Sequence, residues 1–170
     1  MINPDELMEL PRRLQLGEKI ISDIKNYVQL TPKEIIAHSS QVGASKIALE
    51  LGYDALKTNY YNFGFSKPIS INFPSAAFGL INSKEEVSDR ELASMGYGYG
   101  FTVSPYQIAS AYSTFANKGI RKDFKLLIND EVTHMRVISK ESADHTLDAC
   151  LLYTSPSPRD VEESRMPSSA

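Results

Sequence analysis

The sequence has no tryptophan, a single cysteine at position 150 and three histidines, His38, His134 and His145. One cysteine cannot form an internal disulfide, and neither it nor the scattered histidines show metal-ligand spacing, so no metal site and no cofactor are expected. A formal net charge of -3 gives no basic field for nucleic acid. No stretch offers the about 18 consecutive apolar residues of a membrane span, and the acidic, polar residues 1–10 do not read as a secretory leader. What is present, 42% hydrophobic and 23% charged residues in 170, suits one modest folded domain.

Local signals then divide the chain. The first thirty residues mix short apolar runs with charges around Gly17, which suits a hairpin or an extended cover segment. Thr31-Pro32-Lys33-Glu34 has the spacing of a capping box with proline at the first helical position. The helix it opens is short, because Ser39 and Ser40 compete for backbone hydrogen bonds. A second helix is expected from about Gln41 to Leu51, with Val42, Ile47, Leu49 and Leu51 buried and Gly52 as a left-handed cap. Small residues Gly43, Ala44 and Ala48 permit close approach of a neighbour.

A third helix, capped by Asp54, is expected through Tyr61, closing at Phe63-Gly64-Phe65. Residues 67–89 read as a long surface loop with a short strand at Ile69, Ile71 and Phe73. A helix from Ser88 or Asp89 is broken by Met95-Gly96-Tyr97-Gly98-Tyr99-Gly100. That glycine spacing does not make a dinucleotide loop, since no strand precedes it and no acidic residue follows at the required distance. Ser104-Pro105-Tyr106-Gln107 is a second capping box, heading a helix whose apolar face is predicted as Ile108, Ala109, Ala111, Tyr112, Phe115 and Ala116. Gly119 ends it. Strands are predicted at residues 124–128 and 135–138, and Ser139 caps a last helix.

The most informative stretch is the polar tripeptide Ser39-Ser40-Gln41, where two helices meet. A helix start collects donors suited to a substrate carbonyl or carboxylate, because its first N–H groups have no partners within the helix. Ser40, the spacer, reads as a cap before it reads as a substrate contact. His38 beside it reads as a polar helix residue.

Ser39-Ser40-Gln41 resembles the S-x-N motif of penicillin-binding proteins and serine β-lactamases. The blocks SSQVGASKIALELG and SMGYGYGFTVSPYQIASAYSTFANKGI are similar to the septal, class B penicillin-binding proteins, whose corresponding text reads SSNVG with SKLAL, and SYGYG followed by V-T-P-L-Q-L-A-x-A-Y. The resemblance covers most of residues 14–149. It implies an α/β (α+β) fold, a partial transpeptidase domain of the penicillin-binding protein and serine β-lactamase type, represented mostly by its helical part. It implies serine acyl transfer on peptidoglycan stem peptides, acylation by β-lactams, contact with cell-division membrane proteins, and a periplasmic domain anchored in the inner membrane. By the same resemblance Ser39 and Gln41 are catalytic, with Ser40, Gly98 and Tyr99 in the substrate-binding surface. The nucleophile and its lysine, in S-x-x-K, and the K-T-G strand are expected outside this chain, so the chain alone is expected to be inactive. Gln41 departs from the family's asparagine by one methylene. A D,D-carboxypeptidase or β-lactamase on the same fold, and a non-catalytic scaffold or peptide-binding domain, remain open as alternatives.

From Cys150 the text CLLYTSPSPRDVEESRMPSSA loses apolar periodicity and becomes rich in serine and proline. It resembles the conceptual translation of a sequencing adapter. The expected organisation is therefore residues 1–149 as the partial domain and residues 150–170 as a disordered, non-biological tail.

Overall fold

A computed structural model describes residues 3–68, 78–81, 86–125 and 133–153 of the protein. The N-terminal part is a nested pair of antiparallel ladders. Strand β1 (Met8–Glu9) pairs with β4 (Gln29–Leu30), and between them β2 (Leu14–Leu16) pairs with β3 (Lys19–Ile21). Gly17, at φ +63°, makes the expected hairpin turn. This cover buries Leu10, Ile21 and Leu30 against Ile35, Val42 and Ala93, which together form the main core.

Helix α1 (Pro32–Ala37) starts at the predicted capping box: the Glu34 N–H donates to the Thr31 hydroxyl at 3.3 Å, and the Thr31 N–H donates to the Glu34 carboxylate at 2.8 Å. Helix α2 (Gln41–Leu51) has the predicted bounds. Val42, Gly43, Ser45 and Ala48 are its buried residues, whereas of the predicted buried set Ile47 and Leu49 are half-buried and Leu51 is 40% exposed. Gly52 is not a left-handed cap: φ is +79° but ψ is 164°. The reason is that Gly52 also opens α3 (Tyr53–Asn62), and a helix N-cap needs extended ψ. Asp54 therefore lies inside the first turn of α3, where its charge complements the helix dipole, and does not cap it.

Ile69, Ile71 and Phe73 lie outside the described residues. Of the predicted loop, residues 67–68, 78–81 and 86–89 are described, and Ile81 bridges to Phe101. Helix α4 (Asp89–Gly96) begins at Ser88 with a capping box to Glu91 and packs on α2. Gly96 is the contact that lets them approach: a Cβ there would stand 2.5 Å from the Ala44 carbonyl oxygen and 2.7 Å from the Ala48 Cβ.

Helix α5 (Pro105–Ala116) carries the second predicted box, but its buried face is not the apolar one. Gln107, Ser110, Ala111 and Thr114 are buried, while Ile108 and Tyr112 are exposed. These polar groups can be buried because each is satisfied. The Gln107 carboxamide accepts from the Gly79 and Ser104 N–H groups and donates to the Gly64 carbonyl, all at 3.0 Å. The Thr114 hydroxyl donates to the Ser110 carbonyl at 3.0 Å.

Strand β5 (Ile120–Lys122) pairs antiparallel with β6 (His134–Arg136), and so starts earlier than predicted; residues 126–132 lie outside the described set. Gly119, at φ +81°, turns the chain directly out of α5 into the strand. Helix α6 (Lys140–Tyr153) starts at Ser139, whose hydroxyl accepts from the Ser142 N–H at 3.0 Å. It packs on α1 and α5 and continues through Cys150 without a break at the expected boundary. Helices thus dominate a mixed fold whose described strands form two-stranded ladders.

Candidate active site

The tripeptide occupies a tight turn between α1 and α2. His38 is the last residue of α1 with near-helical geometry, and its ring stacks on Tyr27 at 5.1 Å. Ser39 follows at φ +53°, in the left-handed region. Its N–H donates to the Ile36 carbonyl at 3.1 Å, and the Ser40 N–H donates to the Ile35 carbonyl at 3.0 Å. This pair of bonds is a Schellman motif with Ser39 at the position that glycine usually fills. A serine there costs on the order of 1 kcal/mol relative to a residue free of that steric conflict. Lys118, at φ +55°, takes the same place after α5, its N–H bonding to the Phe115 carbonyl and the Gly119 N–H to the Thr114 carbonyl, so this geometry ends a helix and does not by itself mark a site.

Ser40 is 2% exposed and fully engaged: its hydroxyl donates to Asp23 at 2.6 Å and accepts from the Gly43 N–H at 2.9 Å. Asp23 also accepts the Val42 N–H at 3.1 Å. The second and third amides of α2 are therefore taken, which corrects the expectation of an open helix start gathering donors. In this structure Ser40 serves as the helix cap, with its O–H committed to Asp23. What the turn presents to solvent is the Ser39 hydroxyl and the Gln41 carboxamide, both on exposed residues.

Gly98 and Tyr99 follow the C-terminal end of α4. Gly98, at φ +94°, takes the same place after α4 that Ser39 takes after α1: its N–H bonds to the Met95 carbonyl and the Tyr99 N–H bonds to the Ser94 carbonyl. Helix termination thus accounts for Gly98. Tyr99 is 66% exposed, with its ring set edge-on to Tyr97 at 5.5 Å. Packing of Gly96 on Ala44 and Ala48 sets the end of α4, from which this loop departs, against α2.

Asp23, and the pair Ser22 and Lys25, have no place in the sequence reading. Asp23, the anchor of the turn, carries no local signal, since its partners lie 17 and 19 residues further on. The other omission is literal: Ser22-Asp23-Ile24-Lys25 has S-x-x-K spacing. It lies in irregular chain after β3, with Ile24 fully exposed and Asp23 turned towards Ser40, so no helical turn stacks Ser22 and Lys25 on one face.

The description "Penicillin binding protein transpeptidase domain" matches residues 1–151. The peptidoglycan D,D-transpeptidase FtsI of Escherichia coli (strain K12) is 34% identical over 120 residues, 71% of this chain and 20% of its own length. Pseudomonas aeruginosa PbpC, named a probable peptidoglycan D,D-transpeptidase, is 30% identical over 157 residues, 92% of this chain and 28% of its own. Among solved structures, the transpeptidase domain of Burkholderia pseudomallei penicillin-binding protein 3 superimposes with a TM-score of 0.82 at 28% identity, covering 91% of this chain and 48% of that one. The chain spans less than a third of the length of these two curated relatives. With the match running through both helices of the Ser39 turn and the Tyr99 loop, the chain belongs to the penicillin-binding protein transpeptidase domain family.

Proposed function

We propose that this chain is the helical portion of a peptidoglycan D,D-transpeptidase of the cell-division class, and that Ser39 and Gln41 face its acyl donor. The observation that carries the reading is the family match running through the Ser39 turn, where the buried Ser40–Asp23 cap fixes the backbone and leaves Ser39 and Gln41 as exposed residues. In the complete enzyme a serine contributed from outside this chain attacks the carbonyl before the terminal D-alanine of a stem peptide. The ester forms, the D-alanine amine leaves with a proton, and the amine of a neighbouring stem then displaces the serine.

In that scheme the Ser39 hydroxyl relays a proton towards the leaving amine. The Gln41 carboxamide, with both a donor and an acceptor, holds the peptide carbonyl. Tyr99 contributes an exposed ring to the substrate wall. Penicillin acylates the same nucleophile. Periplasmic location, an inner-membrane anchor and division-protein partners accompany this reading. Among the described residues no helix is long and apolar enough to cross a membrane.

The test is labelling with a fluorescent penicillin. The gene product extended through both flanking motifs is expected to label covalently, and Ser39→Ala is expected to slow labelling by roughly a hundredfold to a thousandfold, the range for loss of one positioned hydrogen-bonding group. The 170-residue chain is expected not to label. A covalent adduct on the 170-residue chain, or an unlabelled extended product, contradicts the proposal, and the second result favours a non-catalytic scaffold.

A further inference from the structure

Lys19 lies on the cover hairpin, far in sequence from the glycine loop, yet its ammonium donates to the Ser94 hydroxyl at 2.8 Å and sits 5.5 Å from the centre of the Tyr97 ring. Ser94 is in the last turns of α4, and Tyr97 is the residue on which that helix ends. A cation there complements the negative end of the helix dipole. Ser94 is held in turn, its hydroxyl donating to the Arg90 carbonyl at 2.7 Å. Tyr97 then meets Tyr99 edge to face. A continuous set of contacts therefore runs from the hairpin to the exposed Tyr99 ring. Beyond Lys19 the hairpin turn and the start of α4 separate around an open cleft of about 610 Å³, lined by residues including Leu16, Glu18, Ser88 and Arg90.

We infer that Lys19 is a positioning residue for the glycine loop, acting through Tyr97 to fix the ring of Tyr99 in the substrate wall. The inference rests on the reading of Tyr99 as a substrate contact. The phenol of Tyr97 supplies a reporter. Burial pushes it up, but hydrogen bonding with Lys19 and Ser94 and the charges of Lys19 and Arg90 outweigh burial and hold it below its ordinary value of 10.0.

The experiment is NMR of the 170-residue chain with ring-labelled tyrosine, comparing wild type, Lys19→Met, Lys19→Arg and Ser94→Ala. Lys19→Met is expected to raise the Tyr97 titration and shift the Tyr99 ring resonances, with Lys19→Arg close to wild type. Ser94→Ala, which removes the Lys19 anchor with little change in volume, is expected to shift Tyr99 in the same sense should Lys19→Met fail to fold. Unmoved Tyr99 resonances in the folded variants overturn the inference. In the extended product, Lys19→Met is expected to raise severalfold the penicillin concentration giving half-maximal acylation, while the limiting rate stays within twofold. An unchanged half-maximal concentration also overturns it. Failure of the Tyr99 reading is seen separately, as an unchanged half-maximal concentration in Tyr99→Ala.

Discussion

The Ser40 hydroxyl and the Asp23 carboxylate meet at 2.6 Å, and that bond joins the cover segment to the turn that carries Ser39 and Gln41. The same carboxylate holds the Val42 N–H. One side chain thus satisfies two donors at a helix start, where negative charge is favoured. Asp23→Ala is expected to destabilise the chain by about 2 kcal/mol, since it leaves a buried hydroxyl and an amide without their charged acceptor. Combined with Ser40→Ala, the loss should fall short of the sum of the single losses, because the two residues act as one cap. Urea unfolding of the four proteins in the cycle measures this, and additive losses refute it.

Ser39→Gly should separate stability from function. Glycine enters the left-handed region without steric cost, so the variant is expected to gain up to about 1 kcal/mol after its greater unfolded-state entropy is subtracted. It loses the hydroxyl. A higher thermal midpoint together with slower penicillin acylation in the extended product is the expected pair, and a lower midpoint contradicts the strain argument.

Gly96→Ala probes the helix contact that places the Tyr99 loop. Its Cβ would stand 2.5 Å from a backbone oxygen of α2, which cannot yield as a flexible side chain would. Forcing the helices apart is expected to cost about 1 to 3 kcal/mol. Wild-type stability in Gly96→Ala, read by denaturant midpoint, would mean that α2 and α4 are not in this contact.

The capping box of α1 has a pH signature. Hydrogen bonds from the Thr31 backbone and then its hydroxyl hold the Glu34 carboxyl below its ordinary value of 4.5. A depressed native value means stability that is fully present above about 4.5 and is lost as pH falls through the lower, folded value. The unfolding midpoint is therefore expected to decline with acidification in this window. Partial solvent exposure of Glu34 keeps the effect small. Glu34→Gln retains a neutral box and should show a flatter profile, and an identical profile would remove Glu34 as the cause.

Capping boxes were legible in the sequence because they are local. Thr31 with Glu34, and Ser104 with Gln107, satisfy helix ends within four residues, so spacing alone located α1 and α5. The bounds of α2 followed from Ser40 and Gly52 in the same way. Long-range partners were not legible. Gln107 and Thr114 look solvent-facing by polarity, yet they are buried because Gly79, Gly64 and Ser110 supply their hydrogen bonds. Ile108 and Tyr112 follow helical periodicity and are nonetheless exposed. At the site, the tripeptide could be recognised as text and the left-handed Ser39 belongs to a local turn closed on Ile35 and Ile36, whereas the support from Asp23, 17 residues away, is a consequence of tertiary packing.

The rate of acylation by penicillin in the extended product, measured for Ser39→Ala and Gln41→Ala beside their unfolding midpoints, bears most directly on the site. Both residues are exposed, so both variants should keep wild-type midpoints while acylating at least about tenfold more slowly. Acylation within twofold of wild type in both variants would show that the turn does not serve the acyl donor.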